Sequence, residues 1–375
     1  MARVPSELDE TDIVQLLDPS GMRRASAAAD RGDSDRFAAD LSADDLLALY
    51  RDLRVLRRID DEATALQRQG ELALWPPLRG QEATQLGSAR ALGDGDFVFT
   101  SYREHGVAFA RGVRGADLVR VWRGTTASAW DPDHVRVAPQ QVIIGAQTLH
   151  ATGWAMGEVL AKGEKGPDAG VAYFGDGAMS EGDVAEAMVF AASFRLPVVF
   201  VCSNNQWAIS EPVTLQAPGT LADRGPGFGI PSVRVDGNDV LAVYAVMRAA
   251  LERAHTGGGP TLIEAITYRM GPHTTADDPT RYRTAEELAA WAERDPIDRL
   301  ERLLRSEGVL TDEREAEVGA AADEAGGELR AACIAIPDPD PLSVFDHIYA
   351  EPNRQIERER AEYAAYLDGF TEAQR

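Results

Sequence analysis

The sequence predicts an α/β protein with a doubly wound, mainly parallel sheet and helices on both faces. Short apolar runs alternate with helical patterns from residue 171 to residue 268, and the intervals are long enough for helical crossovers. Crossovers between parallel strands are right-handed, so they cover both faces of a sheet. Hydrophobic side chains make up 44% of the 375 residues, enough to form a substantial core.

The elements follow in chain order. Ser42 and Asp45 form a capping-box pattern that predicts a helix start, and the helix runs to about Gln69, where Gly70 ends it. Its apolar face repeats at steps of three and four residues: Leu46, Leu49, Leu53, Leu56, Ala63 and Leu66. Residues 76–150 are predicted to be loop-rich, with a further helix over 147–162.

The alternating segment then predicts four strands and two helices. The strands are 171–174, 198–202, 232–235 and 261–268, and the helices are 184–195 and 239–256. After residue 284 the pattern becomes helical.

Both ends of the chain are predicted to lie outside the main domain. Residues 1–40 are polar and weakly periodic, so we expect a mobile arm. The main domain is predicted over 41–336. The Pro/Asp run at 337–341 is predicted to act as a stiff spacer within a C-terminal helical segment, 337–375.

Charge and cysteine content exclude several classes of protein. The formal net charge is −23, which disfavours nucleic acid and anionic membranes as partners. Two cysteines, Cys202 and Cys333, are few for this length and favour a reduced compartment. The start of the chain is acidic and no apolar run approaches the roughly 20 residues of a membrane span, so we expect a cytoplasmic protein.

A candidate site follows the first two strands of the alternating segment. The stretch YFGDGAMSEGD places Asp176 between two glycines, and the next strand runs into Asn204 and Asn205. Asn205 follows Asp176 by 29 residues. Because the carboxyl ends of parallel strands line one edge of a sheet, we expect Asp176 and Asn205 to lie side by side. Carboxylate, carboxamide and carbonyl oxygens suit Mg²⁺, which can bridge such side chains to a phosphate.

Each motif alone has a plainer interpretation. G-D-G is also typical of an ordinary strand-to-helix turn, and N-N of a turn. The glycines do not form the dinucleotide fingerprint, which would require Gly at Ser180. The combination of strand, G-D-G, helix, strand and N-N is much more specific.

The stretches GDGAMSEGD and SNNQWAIS resemble the thiamine-diphosphate motif, specifically that of the alpha subunits of 2-oxo acid dehydrogenase complexes. Further stretches carry the same resemblance, in the family's order, over residues 45 to 350: GQEA (80–83), YREHG (102–106) and YRMGPHTTADDPTRYR (268–283). The resemblance implies the diphosphate-binding half of a thiamine-diphosphate-binding fold, with helical extensions at both ends.

The resemblance also assigns ligands to positions of this chain. It implies that Mg²⁺ is held by Asp176, Asn205 and the main-chain carbonyl of Trp207. It implies that thiamine diphosphate is contacted by Tyr102, Arg103, Val142, Ile144, Gly175, Asp176, Gly177, Ala178, Asn205 and His273. The plainer alternatives are core packing for Val142 and Ile144 and a solvated surface position for Arg103.

His273 is the candidate catalytic residue. The resemblance places it at the mouth of the site, near the diphosphate, and implicates it in passing on the acyl group. A lone histidine in a loop is otherwise structural or exposed. Thr274 stands where some relatives carry a phosphorylated serine. Ser203 stands where some relatives have a basic residue, so neutralisation of the diphosphate would rest on Arg103, His273 and the metal.

The resemblance implies one subunit of a larger enzyme. A beta subunit supplies the other half-site in that family, so we expect a heterotetramer of two alpha and two beta chains, working with a lipoyl acyltransferase core. The reaction would be oxidative decarboxylation of a small 2-oxo acid with acylation of a lipoyl group.

Substrate and class have alternatives. Residues 224–244 resemble the branched-chain (2-oxoisovalerate) members more than the pyruvate members, and pyruvate is the alternative substrate. A non-catalytic Mg²⁺-dependent nucleotide-binding module would leave YREHG and GPHTTADDPTRYR unexplained. A nicotinamide-dependent dehydrogenase would lack its glycine fingerprint.

Overall fold

A computed structural model describes residues 12–24, 34–39, 41–126, 128–162 and 167–370. The chain divides into two compact units, Met1–Cys333 and Ile334–Arg375. This division lies three residues before the predicted boundary at 337. The domain limits inferred from the sequence stay predictions.

The larger unit is built on a parallel sheet. The strands of the described residues are, in chain order, Ile13–Val14 (β1), Phe97–Phe99 (β2), Gly170–Gly175 (β3), Val198–Asn204 (β4), Trp207–Ala208 (β5), Glu211–Pro212 (β6), Ser232–Asp236 (β7) and Thr261–Ile266 (β8). Six of them form one sheet in the order β1-β7-β8-β4-β3-β2, and every neighbouring pair is parallel. Strands β5 and β6 form a separate antiparallel hairpin.

Helices of the larger unit surround this sheet, and the last helix of the chain belongs to the smaller unit. The α-helices of the described residues are Ser34–Ala39 (α1), Ala43–Arg68 (α2), Glu82–Arg90 (α3), His105–Ala110 (α4), Ala116–Arg123 (α5), Pro132–Val135 (α6), Ala146–Lys162 (α7), Gly182–Ser193 (α8), Val213–Gln216 (α9), Arg224–Gly227 (α10), Val240–His255 (α11), Ala285–Ala292 (α12), Pro296–Ser306 (α13), Asp312–Ala335 (α14) and Arg354–Asp368 (α15). Within the described part of the chain, none of them is both long and apolar enough to cross a bilayer.

Both faces of the sheet are buried, which confirms the predicted α/β fold. Val171 and Tyr173 of β3 pack in a core cluster that includes Val246 of α11. The alternate residues Ala172 and Phe174 belong to a second cluster with Met188 of α8. A strand covered on both faces reads as a continuous apolar run, because neither set of alternating side chains meets water.

The predicted first long helix is confirmed. Ser42 Oγ accepts a hydrogen bond from the backbone of Asp45 (3.2 Å), and the Asp45 carboxylate accepts one from the backbone of Ser42 (2.9 Å). Gly70 follows the helix with φ of +85°, in the left-handed region that favours glycine. The predicted strands and the helices over 147–162, 184–195 and 239–256 are present with boundaries shifted by a few residues.

The described parts of residues 1–40 differ from the predicted mobile arm. Ile13–Val14 pairs with β7 as an edge strand, and α1 packs against α11. The backbone N–H groups of Leu16 and Leu17 donate to the carboxylate of Asp239, at 2.6 Å each. A two-residue strand has no detectable periodicity, so distant residues decide its position. The remainder of the predicted arm lies outside the described residues.

Residues 76–150 contain more regular structure than predicted. They include strand β2 and four helices, α3 to α6. Helix α3 buries polar and apolar side chains alike, among them Glu82, Thr84, Gln85 and Ser88. This helix is buried on all sides and many of its buried side chains are polar. It therefore lacks the single apolar stripe by which an amphipathic helix is predicted from sequence.

Candidate active site

The candidate site is a cavity of about 470 Å³ at the carboxyl edge of β3 and β4. All the residues that the sequence singled out for the cofactor and the metal line this cavity: Tyr102, Arg103, Val142, Ile144, Gly175, Asp176, Gly177, Ala178, Asn205, Trp207 and His273. Residues separated by as much as 171 positions in the chain therefore share one cavity. Their individual binding roles stay predictions.

Asp176 lies directly after the last residue of β3. It opens a short 3₁₀ turn, Asp176–Ser180, that leads into α8. The side chain is buried, and one carboxylate oxygen accepts a hydrogen bond from Gln216 Nε2 (3.1 Å). Burial raises the pKa of Asp176 to about 6, because its hydrogen bonds and the positive charge of Arg269 only partly compensate for the loss of water. A bound cation would remove this penalty.

Asn205 and Trp207 approach the same edge from β4. Asn205 Oδ1 accepts from the backbone of Trp207 (3.2 Å), and its Nδ2 donates to Gln81 Oε1 (3.3 Å). Gln206 between them has φ of +74°, which turns the chain sharply. The carbonyl of Trp207 accepts from Arg269 Nη1 (2.9 Å) and keeps a second lone pair, so it can also ligate a metal.

This donor set fits Mg²⁺ better than a transition metal. It consists of one carboxylate, one carboxamide oxygen and one main-chain carbonyl, all hard oxygen ligands. Among the described residues, no three His, Cys, Asp or Glu side chains are grouped so that they could hold a metal. One carboxylate with neutral oxygens leaves coordination positions for water and phosphate oxygens, as Mg²⁺ prefers.

Three further side chains that line the cavity each have one polar atom without a partner. Gln81 Nε2, Gln147 Oε1 and Ser203 Oγ are buried and have no hydrogen-bond partner within the described ranges. Buried polar atoms are normally satisfied, so these atoms favour a polar ligand in the cavity. Sequence reasoning did not assign them a role, although Gln81 belongs to the GQEA stretch.

Gly177 is required by close packing at the turn after β3. A Cβ atom on Gly177 would lie 2.8 Å from the Cβ of Ala208 in the hairpin. A side chain there would force the turn and the hairpin apart, which would separate Asp176 from Trp207. The glycine thus permits the close approach on which the oxygen set depends.

Arg103 and Arg269 form a buried cationic pair beside the cavity. Arg103 is 4% exposed and Arg269 is 0% exposed, so a solvated surface position for Arg103 is excluded. Their hydrogen bonds go to carbonyl groups, the Tyr282 hydroxyl and His273. Within the described residues, neither guanidinium forms an ion pair with a carboxylate. Two buried cations without an ion-paired carboxylate favour an anionic ligand, against the net charge of the whole chain.

The two arginines fix the proton position on His273. Arg103 Nη2 lies 3.2 Å from His273 Nδ1, and Arg269 Nη1 lies 3.4 Å from the same atom. Arginine can only donate, so Nδ1 is the acceptor and the proton of the neutral ring is on Nε2. Arg103 Nη2 also donates to the carbonyl of His273 (2.8 Å), and the backbone of His273 donates to Asp277 (2.8 Å).

The structure corrects the expectation that His273 helps to neutralise a diphosphate. Burial, then the positive charges of Arg103 and Arg269, lower the pKa of His273 to about 3. His273 is therefore neutral at physiological pH and offers a hydrogen-bond donor rather than a positive charge. The sequence had assigned part of the neutralisation of a diphosphate to this residue, whereas in the structure Arg269 stands beside Arg103 as the second cation.

Val142 and Ile144 lie at the rim of the cavity. Their exposed fractions are 63% and 39%, and Ile143 between them is 71% exposed. The alternative of plain core packing is wrong for both residues. Leu74, Pro76 and Trp122 supply further apolar lining that the sequence did not single out.

The fold and the site together define a class of protein. The chain is an α/β protein with a ligand site at the carboxyl edge of a parallel sheet, where hard oxygen donors and buried cations meet. Comparison with protein families identifies the particular family within this class. Residues 51–328 match the dehydrogenase E1 component family, and the chain belongs to that family. Its members depend on thiamine diphosphate.

Named relatives are alpha subunits of two kinds of E1 enzyme. The chain is 48% identical, over 94% of both chains, to the 3-methyl-2-oxobutanoate dehydrogenase subunit alpha of Mycobacterium tuberculosis. It is 38% identical to the pyruvate dehydrogenase E1 component subunit alpha of Acholeplasma laidlawii, over 90% of this chain and 97% of the relative. The same subunit of Staphylococcus epidermidis is 39% identical, over 86% of this chain and 83% of the relative.

Proposed function

We propose that this chain is the alpha subunit of a 3-methyl-2-oxobutanoate dehydrogenase. It would act in the oxidative decarboxylation of a branched-chain 2-oxo acid and the transfer of the acyl group to a lipoyl group. The observation that carries the proposal is the meeting of all the assigned cofactor and metal residues around one cavity, in a chain of the E1 family.

Thiamine diphosphate and Mg²⁺ are the proposed ligands of this cavity. Asp176, Asn205 and the carbonyl of Trp207 would hold the metal. Arg103 and Arg269 would balance the negative charge of the diphosphate. When bound, the thiazolium supplies the nucleophilic carbon and accepts the electron pair left by decarboxylation.

His273 is proposed to act as a neutral hydrogen-bond donor at the mouth of the cavity. Its Nδ1 is held by two arginines, so Nε2–H is the group that remains to contact substrate or the acyl group. A donor fixed in one tautomer can orient an oxygen of the reacting group without a change in its own charge. Transfer of the acyl group to lipoyl is the step for which we propose this contact.

A beta subunit is the proposed first partner. The exposed apolar residues Val142, Ile143 and Ile144 lie at the rim of the cavity, where a second chain can bury them. We propose a heterotetramer of two alpha and two beta chains, with a lipoyl acyltransferase core as the second partner.

The substrate preference rests on the comparisons. The branched-chain relative is 48% identical, whereas the two pyruvate relatives described above are 38% and 39% identical. Pyruvate stays the second candidate, because one methyl group or branch in an apolar pocket changes discrimination by only about 1–3 kcal/mol.

The test is turnover by the assembled enzyme. The chain is co-expressed with the beta subunit encoded beside it, supplied with Mg²⁺ and thiamine diphosphate, and assayed by reduction of an artificial electron acceptor. We expect turnover with 3-methyl-2-oxobutanoate and 4-methyl-2-oxopentanoate, and none in an Asp176→Ala control. Turnover with pyruvate alone would overturn the substrate assignment. An assembled complex that neither binds the cofactor nor turns over any 2-oxo acid would overturn the function.

A further inference from the structure

A thin wall separates the candidate active site from a second cavity of about 460 Å³. The wall consists of two extended stretches, which we call the 75–80 segment and the His273 loop (residues 270–283). Pro76 and His273 line the first cavity, whereas Pro77, Gly271 and Pro272 line the second. The 75–80 segment is held by the burial of Trp75 and Leu78 and by the stacking of Trp75 on His105, and hydrogen bonds link it to the His273 loop.

The two stretches are joined by backbone hydrogen bonds. The backbone of Trp75 donates to Thr275 Oγ1 (3.0 Å), and the backbone of Thr275 donates to the carbonyl of Trp75 (2.9 Å). Met270 donates to the carbonyl of Arg79 (3.0 Å). The His273 loop therefore takes its position from the 75–80 segment.

Arg103 makes a second link between the same two stretches. Its Nη1 donates to the carbonyl of Pro77 (2.6 Å), while its Nη2 contacts both the carbonyl and Nδ1 of His273. A shift of the 75–80 segment would move the arginine that fixes the tautomer of His273.

Asp60, on helix α2, anchors the 75–80 segment from behind. Its Oδ1 accepts from the indole Nε1 of Trp75 (2.8 Å) and from the backbone of Leu78 (3.1 Å). The Asp60 side chain is 2% exposed and does not line the first cavity. A buried carboxylate is costly, and burial raises the pKa of Asp60 to about 7. The hydrogen bonds from Trp75 and Leu78 offset part of that cost and fix the segment at both residues.

We propose that Asp60 is a positioning residue for His273: it holds the 75–80 segment, which in turn holds the His273 loop and Arg103. This proposal rests on the proposed function, because the role of His273 in acyl transfer is part of that function. Asp60 lines the second cavity but not the candidate active site, so its effect on the reaction passes through the wall.

The first test measures the loop itself. Amide hydrogen exchange is followed by mass spectrometry in the assembled complex, with Asp60→Ala and Thr275→Ala as variants and Asp44→Ala as the matched control. At position 60, alanine removes the acceptor for Trp75 Nε1 and for the backbone of Leu78. At position 275, it removes the acceptor for the backbone of Trp75. We expect exchange in peptides from the His273 loop to rise about tenfold in both variants, with the central strands β3 and β4 unchanged. Asp44 is exposed in the first turn of the same helix, so its variant should leave the loop unchanged.

The second test asks whether Asp60 acts through His273. We expect Asp60→Ala to slow acylation of a lipoyl domain by about tenfold and to have little further effect in a His273→Ala background. Loop exchange that stays unchanged, that rises equally in β3 and β4, or that rises equally in Asp44→Ala would overturn the proposal, as would additive effects of the two substitutions. The exchange measurement needs no turnover, so it decides the proposal even if the wild-type complex shows no 2-oxo acid decarboxylation and the proposed function fails.

Discussion

A buried carboxylate destabilises a protein until a cation neutralises it, and Asp176 is in that position. Its raised pKa means that the folded protein favours the protonated form more than the unfolded chain does. The stability from this preference is fully present below the unfolded pKa and is lost as pH rises toward 6. Near neutral pH the metal-free protein therefore bears the whole penalty.

We predict that Asp176→Asn makes the metal-free protein more stable. A pKa shift from 3.8 to about 6 corresponds to about 3 kcal/mol at pH 7.5, which is an upper limit for the gain. Asparagine can still accept the hydrogen bond from Gln216. Urea unfolding at pH 7.5 measures the change, and the variant should at the same time lose all stabilisation by Mg²⁺ with thiamine diphosphate. A lower free energy of unfolding in the variant would contradict the prediction.

We also predict that the apparent Mg²⁺ affinity depends on pH. The metal needs the ionised carboxylate, so protonation of Asp176 below pH 6 competes with binding. Affinity measured by calorimetry with thiamine diphosphate present should be nearly constant above pH 7 and about tenfold weaker at pH 5. In the ligand-free protein the pKa of His273 is lowered to about 3, so its ring is neutral throughout this range before the ligands bind. An affinity that stays constant from pH 5 to pH 8 would refute this assignment.

At the scale of elements, Asp239 connects an edge strand to a helix. Its Oδ1 accepts from the backbone of Leu241 and Ala242 and so caps α11, while its Oδ2 accepts from Leu16 and Leu17 beside β1. One carboxylate thus satisfies four backbone donors. The position of β1 depends on this side chain, which follows it by more than 220 residues.

We predict that Asp239→Ala lowers the free energy of unfolding by about 2–4 kcal/mol. Loss of the helix cap costs about 1 kcal/mol, and the two donors beside β1 lose their acceptor in a buried place. Denaturant unfolding gives the value, with Asp312→Ala as the control because the Asp312 side chain is fully exposed in the first turn of α14. The control should change stability by less than about 0.5 kcal/mol. Equal losses in the two variants would show that the cap and the β1 contact contribute nothing.

At the scale of the whole molecule, charge and apolar surface are unevenly distributed. The chain carries a net charge of −23, yet its cavity contains two buried arginines that form no ion pair with a carboxylate in the described structure. The apolar residues 142–144 stand exposed at the rim of the same cavity. The cavity that contains the buried arginines thus adjoins an exposed apolar surface.

We predict that Ile143→Ser weakens assembly with the beta subunit but not the fold of this chain. Ile143 is 71% exposed, so its loss should change the free energy of unfolding by less than about 0.5 kcal/mol. Native mass spectrometry should show fewer heterotetramers at low concentration than for the wild type. Met22→Ser, at an exposed residue far along the chain, is the control. Unchanged assembly in the Ile143 variant would place the subunit interface elsewhere.

The sequence alone determined the fold class and many of the residues that line the candidate site. Apolar runs of strand length, separated by helical crossovers, are local signals, and the parallel sheet follows from them. Asp176 and Asn205 were predicted to share an edge because each directly follows a strand, and the structure places both at one cavity. The motifs that carry the family resemblance located Arg103 and His273 before any contact was known.

Only the tertiary structure decided how these residues act. The neutral state of His273 depends on Arg103, 170 residues away, and on Arg269. The position of β1 depends on Asp239, and the wall beside the site depends on Asp60. Burial and hydrogen bonds between distant residues set these properties, because both arise only when separate elements pack together. Periodicity and spacing describe one segment at a time. They therefore predict which residues lie at the site but not the protonation state or charge of each residue.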